Sequence, residues 1–168
     1  MQSLLILRHA KAVPWSPLAE DFPRKLERQG TRDARKVAVW LVENLELPQR
    51  ILCSPSQRTR ETLAPLLAIR PELEAVTHFV PQIYHAPATL LRTLLDAAFA
   101  AVDRVLIVGH NPGFEQLVVD VIHPTHYPDF DRMPTGTLAV VGFNPGWSEN
   151  SDRGTLHHFI RGKHLTES

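Results

Sequence analysis

Two arginines and two histidines stand where chemistry could use them. Arg8 and His9 follow the short apolar run Leu4-Leu5-Ile6-Leu7. Arg58 comes just after Arg50-Ile51-Leu52-Cys53, and His110 follows Arg104 to Val108 and a glycine. All three apolar runs read as short strands buried on both faces. Ligands of open α/β sheets bind beyond the carboxyl ends of such strands. The four side chains are therefore expected to converge on one edge, with no carboxylate among them. That set suits an anion, most simply a phosphoryl group, because guanidinium offers paired donors and helix N-termini add partial positive charge. Lys11 and Asn111 flank the same edge. A lone histidine at a strand end is usually structural, and Arg58 alone could be a solvated helix residue like Arg60. The joint placement carries the reading.

The elements between these residues alternate. After the first strand, Ala12 to Pro23 holds three prolines and reads as a loop. Ala34, Val37, Ala38, Leu41, Val42 and Leu45 recur at helical spacing. Ser54-Pro55 reads as the N-cap and first residue of a helix running to about Ala68. Ala75 to Val80 reads as a strand and Ala88 to Phe99 as a helix. Pro112 to Ile122 reads as another helix, with strands at Thr137 to Phe143 and Thr155 to Ile160. The order β-α-β-α-β-α-β-α-β-β predicts a three-layer α/β/α fold, a mostly parallel sheet with helices on both faces. Residues 1–168 are expected to form a single domain.

The totals narrow the classes. Eighteen basic residues balance eighteen acidic ones, which gives no general drive toward nucleic acid or an anionic membrane. The single cysteine, Cys53, allows no internal disulfide and no cysteine-based metal site. No segment reads as a signal peptide or membrane span. A cytoplasmic protein is expected, with no metal and no cofactor. The oligomeric state stays open, a monomer being compatible.

Leu7-Arg8-His9 resembles the Arg-His-Gly signature of the histidine phosphatase, or phosphoglycerate mutase-like, superfamily. Residues 53–62, Cys-Ser-Pro-Ser-Gln-Arg-Thr-Arg-Glu-Thr, resemble its Ser-Pro-x-x-Arg segment, and Gly109-His110-Asn111-Pro112 resembles the segment bearing its second histidine. The motifs occur in the family's order and spacing. The short length, Tyr84-His85-Ala86 and Pro134-Thr135-Gly136 look most like the SixA branch of phosphohistidine phosphatases. The resemblance implies a phosphoglycerate mutase-like fold, with His9 as nucleophile and with Arg8, Arg58 and His110 holding phosphoryl oxygens. It also implies hydrolysis through a phosphohistidine intermediate. Lys11, Asn111 and Tyr84 are further candidates for substrate binding. Two departures stand out. Ala10 replaces the family glycine, and the family's acidic Glu after the third strand is replaced by a neighbourhood of Gln82, Tyr84 and His85.

A neutral imidazole is a competent nucleophile near pH 7, provided its second nitrogen donates to an acceptor that fixes the tautomer. Without the Glu, a phosphohistidine substrate is mildly favoured over an ester, since an imidazole leaving group needs less protonation than an alkoxide. The expected partner is a phosphorylated protein of histidine-phosphotransfer or phosphorelay type. The alternatives are a small-molecule phosphomonoesterase or mutase, and a catalytically silent phosphohistidine-binding module. Other motifs weigh less. Only four residues separate Cys53 from Arg58, one short of a cysteine-phosphatase loop, and Cys53 reads as core. His123 and His126 read as a polar loop, and His157 and His158 as residues on opposite faces of a strand. Gly109 to Gly113 lacks the Lys-Ser/Thr of a P-loop.

Overall fold

Leu4, Leu5, Ile6 and Leu7 are all buried. Successive strand residues point to opposite faces, so four in a row can be buried only where helices cover both sides of a sheet. In the computed structural model, which describes residues 1–167, this run is strand β1 (Gln2–Arg8). The others are β2 (Arg50–Cys53), β3 (Thr77–Phe79), β4 (Arg104–Gly109), β5 (Thr137–Phe143) and β6 (Thr155–Arg161). They form one sheet in the order β3-β2-β4-β1-β5-β6. The β2–β3, β2–β4 and β1–β4 pairs are parallel, whereas β1–β5 and β5–β6 are antiparallel.

The helices are α1 (Arg28–Asn44), α2 (Gln57–Ile69), α3 (Ala88–Phe99), α4 (Gly113–Val121) and the short α5 (Trp147–Asn150). One core layer joins Leu5, Leu7, Ile51, Cys53, Leu106 and Val108 to Val37 and Leu41 of α1 and Leu63 and Leu66 of α2. The opposite layer joins Leu4, Ile6, Val105 and Ile107 to Leu91 and Leu95 of α3 and Leu117 and Val118 of α4. Burying each of these side chains contributes about 1.5–3 kcal/mol. The expected three-layer architecture is what forms.

The boundaries depart in instructive places. Helix α1 starts six residues before Ala34, because its first turns lie over backbone rather than apolar side chains: a Cβ on Gly30 would collide with the Lys11 carbonyl oxygen. The expected cap at Ser54-Pro55 is wrong, since α2 begins at Gln57 after Ser56. The Ser54 carbonyl accepts instead from the Thr59 hydroxyl at 2.6 Å, and the Ser54 hydroxyl meets His110. Residues Pro71–Val76 form a 3-10 helix, which shortens β3 to three residues.

This topology positions the site. Helix α1 leaves β1 toward one face and α4 leaves β4 toward the other, so a crevice opens between the carboxyl ends of these adjacent strands. Arg8 pairs with Gly109 across them, and the His9 N–H donates to the Gly109 carbonyl at 3.0 Å. His9 and His110 therefore leave the sheet side by side.

Candidate active site

The His9 ring is turned by its own neighbour. Its Nδ1 lies 2.8 Å from the Ala10 carbonyl oxygen. A carbonyl can only accept, so Nδ1 carries the proton and Nε2 keeps a free lone pair. The Ala10 backbone is itself held, its N–H donating to Thr62 Oγ1 at 2.9 Å, while that hydroxyl donates to the Arg58 carbonyl at 2.7 Å. Burial, aided by Arg8, Arg58 and Arg24, lowers the His9 pKa to about 4, against the opposing pull of the Ala10 carbonyl. The ring is neutral at neutral pH, as a nucleophile requires.

His110 stands beside it, with ring centroids 5.4 Å apart. Its pKa is lowered to about 3, first by burial and then by Arg58, His9 and His85. Nε2 meets Ser54 Oγ at 2.8 Å, and Nδ1 is buried without a partner. When the hydroxyl donates to Nε2, the ring proton sits on Nδ1. Arg8 donates from Nη1 to the Met133 carbonyl at 2.9 Å, which Asn111 Nδ2 also reaches at 2.9 Å. The Gly136 N–H donates to the His9 carbonyl at 2.9 Å, from a left-handed φ of 71° that favours glycine. The segment 133–136 is thus tied around the site.

Arg58, 2% exposed, is placed by the first turn of α2. It donates from Nη1 to the Asp21 carbonyl and from Nη2 to Asp21 Oδ2, both at 3.0 Å. The expectation of a cleft without a carboxylate is therefore corrected: the Pro-rich loop after β1 brings Asp21 into it. Asp21 also pairs with Arg24 at 3.2 Å, lies 3.5 Å from His85 Nε2, and accepts from the Tyr84 hydroxyl at 2.5 Å. Burial would raise this carboxyl, but Tyr84, Arg58 and Arg24 together hold it below the ordinary value. It stays ionised at neutral pH.

A cleft of about 260 Å³ is lined by Arg8, His9, Lys11, Asp21, Arg24, Arg58, His85, His110 and Asn111, among others. Arg8, His9, Arg58 and His110 are together in it. Lys11 sits at the rim, exposed and 3.4 Å from Glu27. Asn111 lines the wall, with its amide engaged by Met133 and its Oδ1 accepting from the Glu115 N–H at 3.1 Å. Tyr84 packs behind His110 at 5.4 Å and reaches the cleft only through Asp21. Four buried nitrogens on cleft residues have no partner: Arg8 Nε, Arg24 Nε, Arg58 Nε and His110 Nδ1. Buried donors left unpaired are costly, typically about 1–3 kcal/mol each. A tetrahedral oxyanion in the cleft would sit among these four side chains.

Arg24 and Asp21 escape sequence reading because they lie in a loop with no periodicity. Asp21-Phe22-Pro23-Arg24 is visible as a charged pair around a proline, but nothing in the spacing says that the loop folds back. Elsewhere, Cys53 is buried in the core and its thiol is pushed up to about 12, chiefly by burial. His123 caps a 3-10 turn over Pro124–Asp129 through Thr125. Among the described residues no group of three or more His, Cys, Asp or Glu side chains is placed to hold a metal ion, and no helix is long and apolar enough to cross a membrane.

Known proteins share this fold. The SixA of Agrobacterium tumefaciens, provisionally described as a phosphohistidine phosphatase, superposes with a TM-score of 0.81 at 27% identity, covering 95% of this chain and 97% of that one. A tungstate complex of the protein histidine phosphatase SixA gives 0.79 at 25% identity over the same shares. An uncharacterised Mycobacterium leprae protein is 31% identical over 150 residues, 84% of this chain and 89% of its own. An uncharacterised chloroplastic protein of Arabidopsis thaliana is 35% identical over 122 residues, 67% of this chain but only 56% of that protein's length. No family model matches the chain. These neighbours support a phosphatase of the hydrolase class. The chain has the fold of the histidine phosphatase superfamily, and its neighbours at TM-scores of 0.79–0.81 are SixA proteins.

Proposed function

We propose that this protein removes phosphate from phosphohistidine on another protein, with His9 as nucleophile. Nε2 of His9 attacks phosphorus, and the leaving imidazole departs. In the transition state charge spreads over the equatorial oxygens, where Arg8 and Arg58 neutralise it and His110 donates a hydrogen bond, with Arg24 beside them. Water then hydrolyses the phosphoenzyme and releases phosphate. The observation that carries this reading is the convergence of Arg8, Arg24, Arg58 and His110 on one cleft with His9. The SixA neighbours support the phosphohistidine substrate.

The cleft also continues outward. His85 and Asn111 line both it and an apolar shelf of about 410 Å³ formed with Ala86, Pro87, Pro112 and Gln116. Such a shelf suits a protein surface around the phosphorylated side chain better than a polar sugar or glycerate. Initial rates on a phosphohistidine peptide, phosphoglycerate and sugar phosphates test the assignment. Preference for the peptide is expected. A preference for either ester would replace it with the phosphomonoesterase reading, and tight binding without turnover would make the protein a phosphohistidine-binding module.

A further inference from the structure

A basic leaving group such as an alkoxide must gain a proton as it leaves phosphorus, and three nearby side chains are poorly suited to supply it. Asp21 is held ionised by two arginines and a phenol. The Tyr84 hydroxyl already donates to Asp21, and burial with that carboxylate raises its pKa. Gln82 carries no acid. His85 is different. It lines the phosphoryl cleft and the apolar shelf alike, so it stands where the phosphoryl group ends and the leaving group begins.

Its backbone is held in an unusual state. His85 has φ of 58°, the only positive value at a non-glycine residue among those described. Such a conformation costs energy outside glycine and persists where its surroundings impose it, often at functional sites. The turn is pinned on both sides. The Ala86 N–H donates to the Ile83 carbonyl at 3.1 Å, and Gly113 of α4 lies so close that a Cβ there would collide with the Ala86 oxygen. The ring itself rests 4.0 Å from Tyr84 and 5.9 Å from His110, centroid to centroid, with Nε2 turned to Asp21.

We propose that His85, backed by Asp21, is the proton donor to the leaving group. The inference rests on the His9 phosphatase reading. In the first step His9 Nε2 bonds to phosphorus as the bond from phosphorus to the leaving atom breaks. The imidazolium of His85 gives its Nδ1 proton to that atom and becomes neutral, while its Nε2–H faces Asp21. In the second step a water oxygen bonds to phosphorus and its proton passes to His85. The electron pair of the P–N bond returns to His9. An imidazole can both give and take a proton, so it can serve in both directions. The charged and titratable groups facing it are Asp21 from the loop, His110 after β4 and Tyr84, with Arg58 and Arg24 behind Asp21.

The test compares leaving groups. His85→Asn keeps a residue that tolerates the left-handed backbone, and His85→Gly leaves space for added imidazole. Wild-type protein and both variants are assayed on a series of aryl and alkyl phosphates of rising leaving-group basicity. Loss of a general acid typically costs about 10²- to 10⁴-fold, concentrated on the poorest leaving groups. Both variants should lose that much on alkyl phosphates and little on nitrophenyl phosphate, and imidazole should restore part of the His85→Gly activity. An equal loss on every substrate, no loss, or no rescue would overturn the role of His85 while leaving the His9 reading intact. Absence of any wild-type turnover and any phosphorylated His9 would overturn both.

Discussion

Nε2 of His110 and Oγ of Ser54 lie 2.8 Å apart, joining residues that are fifty-six positions apart in the chain. The contact follows from sheet register: β2 and β4 are paired through Cys53 and Val108, and the Ser54 N–H donates to the Val108 carbonyl at 3.0 Å. Ser54 thereby sets the rotation of the His110 ring, and its hydroxyl engages one of the two ring nitrogens. Both residues are buried, so no solvent replaces the hydroxyl if it is removed.

Ser54→Ala should therefore damage turnover more than stability. Losing one buried hydrogen bond costs about 1 kcal/mol, measurable by urea unfolding. Loss of an aligned donor to the transferring phosphoryl costs up to about 10²–10³ in kcat. A fall of roughly tenfold or more is expected, because the ring stays present but its tautomer is freed. Unchanged kcat would show that the Ser54 contact is only structural.

Arg58→Ala should lower kcat/KM by about 10²- to 10³-fold. The substitution removes a donor and leaves Asp21 facing the anion without its nearest cation. Arg58→Lys should recover only a fraction, because an ammonium cannot reproduce the guanidinium fork. Titration with tungstate or phosphate should show weakened binding in the same order.

Acid should destabilise the protein through its two buried histidines. Their pKa values are lowered, to about 4 for His9 and about 3 for His110, so between those values and about 6.5 the unfolded chain binds protons that the folded chain refuses. Stability then rises with pH across that window, is complete above it, and is lost as pH falls. A tenfold difference in proton affinity between the folded and unfolded chain is worth about 1.4 kcal/mol, so the two rings together contribute on the order of several kcal/mol. Urea unfolding near neutrality and at about pH 4.5 measures it. His9→Ala should show a smaller difference than the wild type, and an equal one would contradict the burial assignment.

Gly113→Ala should disturb the site from a distance. Its Cβ would run into the Ala86 oxygen, so the turn bearing His85 or the start of α4 must move. Overpacking of this kind typically costs about 1–3 kcal/mol. A lower melting temperature together with weaker turnover is expected, and wild-type values for both would contradict the close packing.

The parts of this molecule most visible in the sequence are those set by pattern. Leu4 to Leu7 and Arg104 to Val108 announce themselves by apolar runs and Ala88 to Phe99 by helical spacing, and the two strands carry Arg8, His9 and His110 to one edge. The start of α1 is hidden because Gly30 packs on backbone, which leaves no apolar signature. Ser54 reads as a cap in sequence, yet its hydroxyl serves a histidine from another strand. Asp21 and Arg24 are invisible as site residues, since their loop has no period and only tertiary folding brings it over Arg58.

The central claim is the covalent step at His9. Rapid quenching of wild-type protein with a phosphorylated substrate, at alkaline pH that preserves phosphohistidine, followed by peptide mass spectrometry, measures it directly. Phosphate on Nε2 of His9 is predicted, appearing before free phosphate, and absent from His9→Ala, which should be folded and inactive. Phosphate on any other residue, or turnover surviving in His9→Ala, would contradict the mechanism.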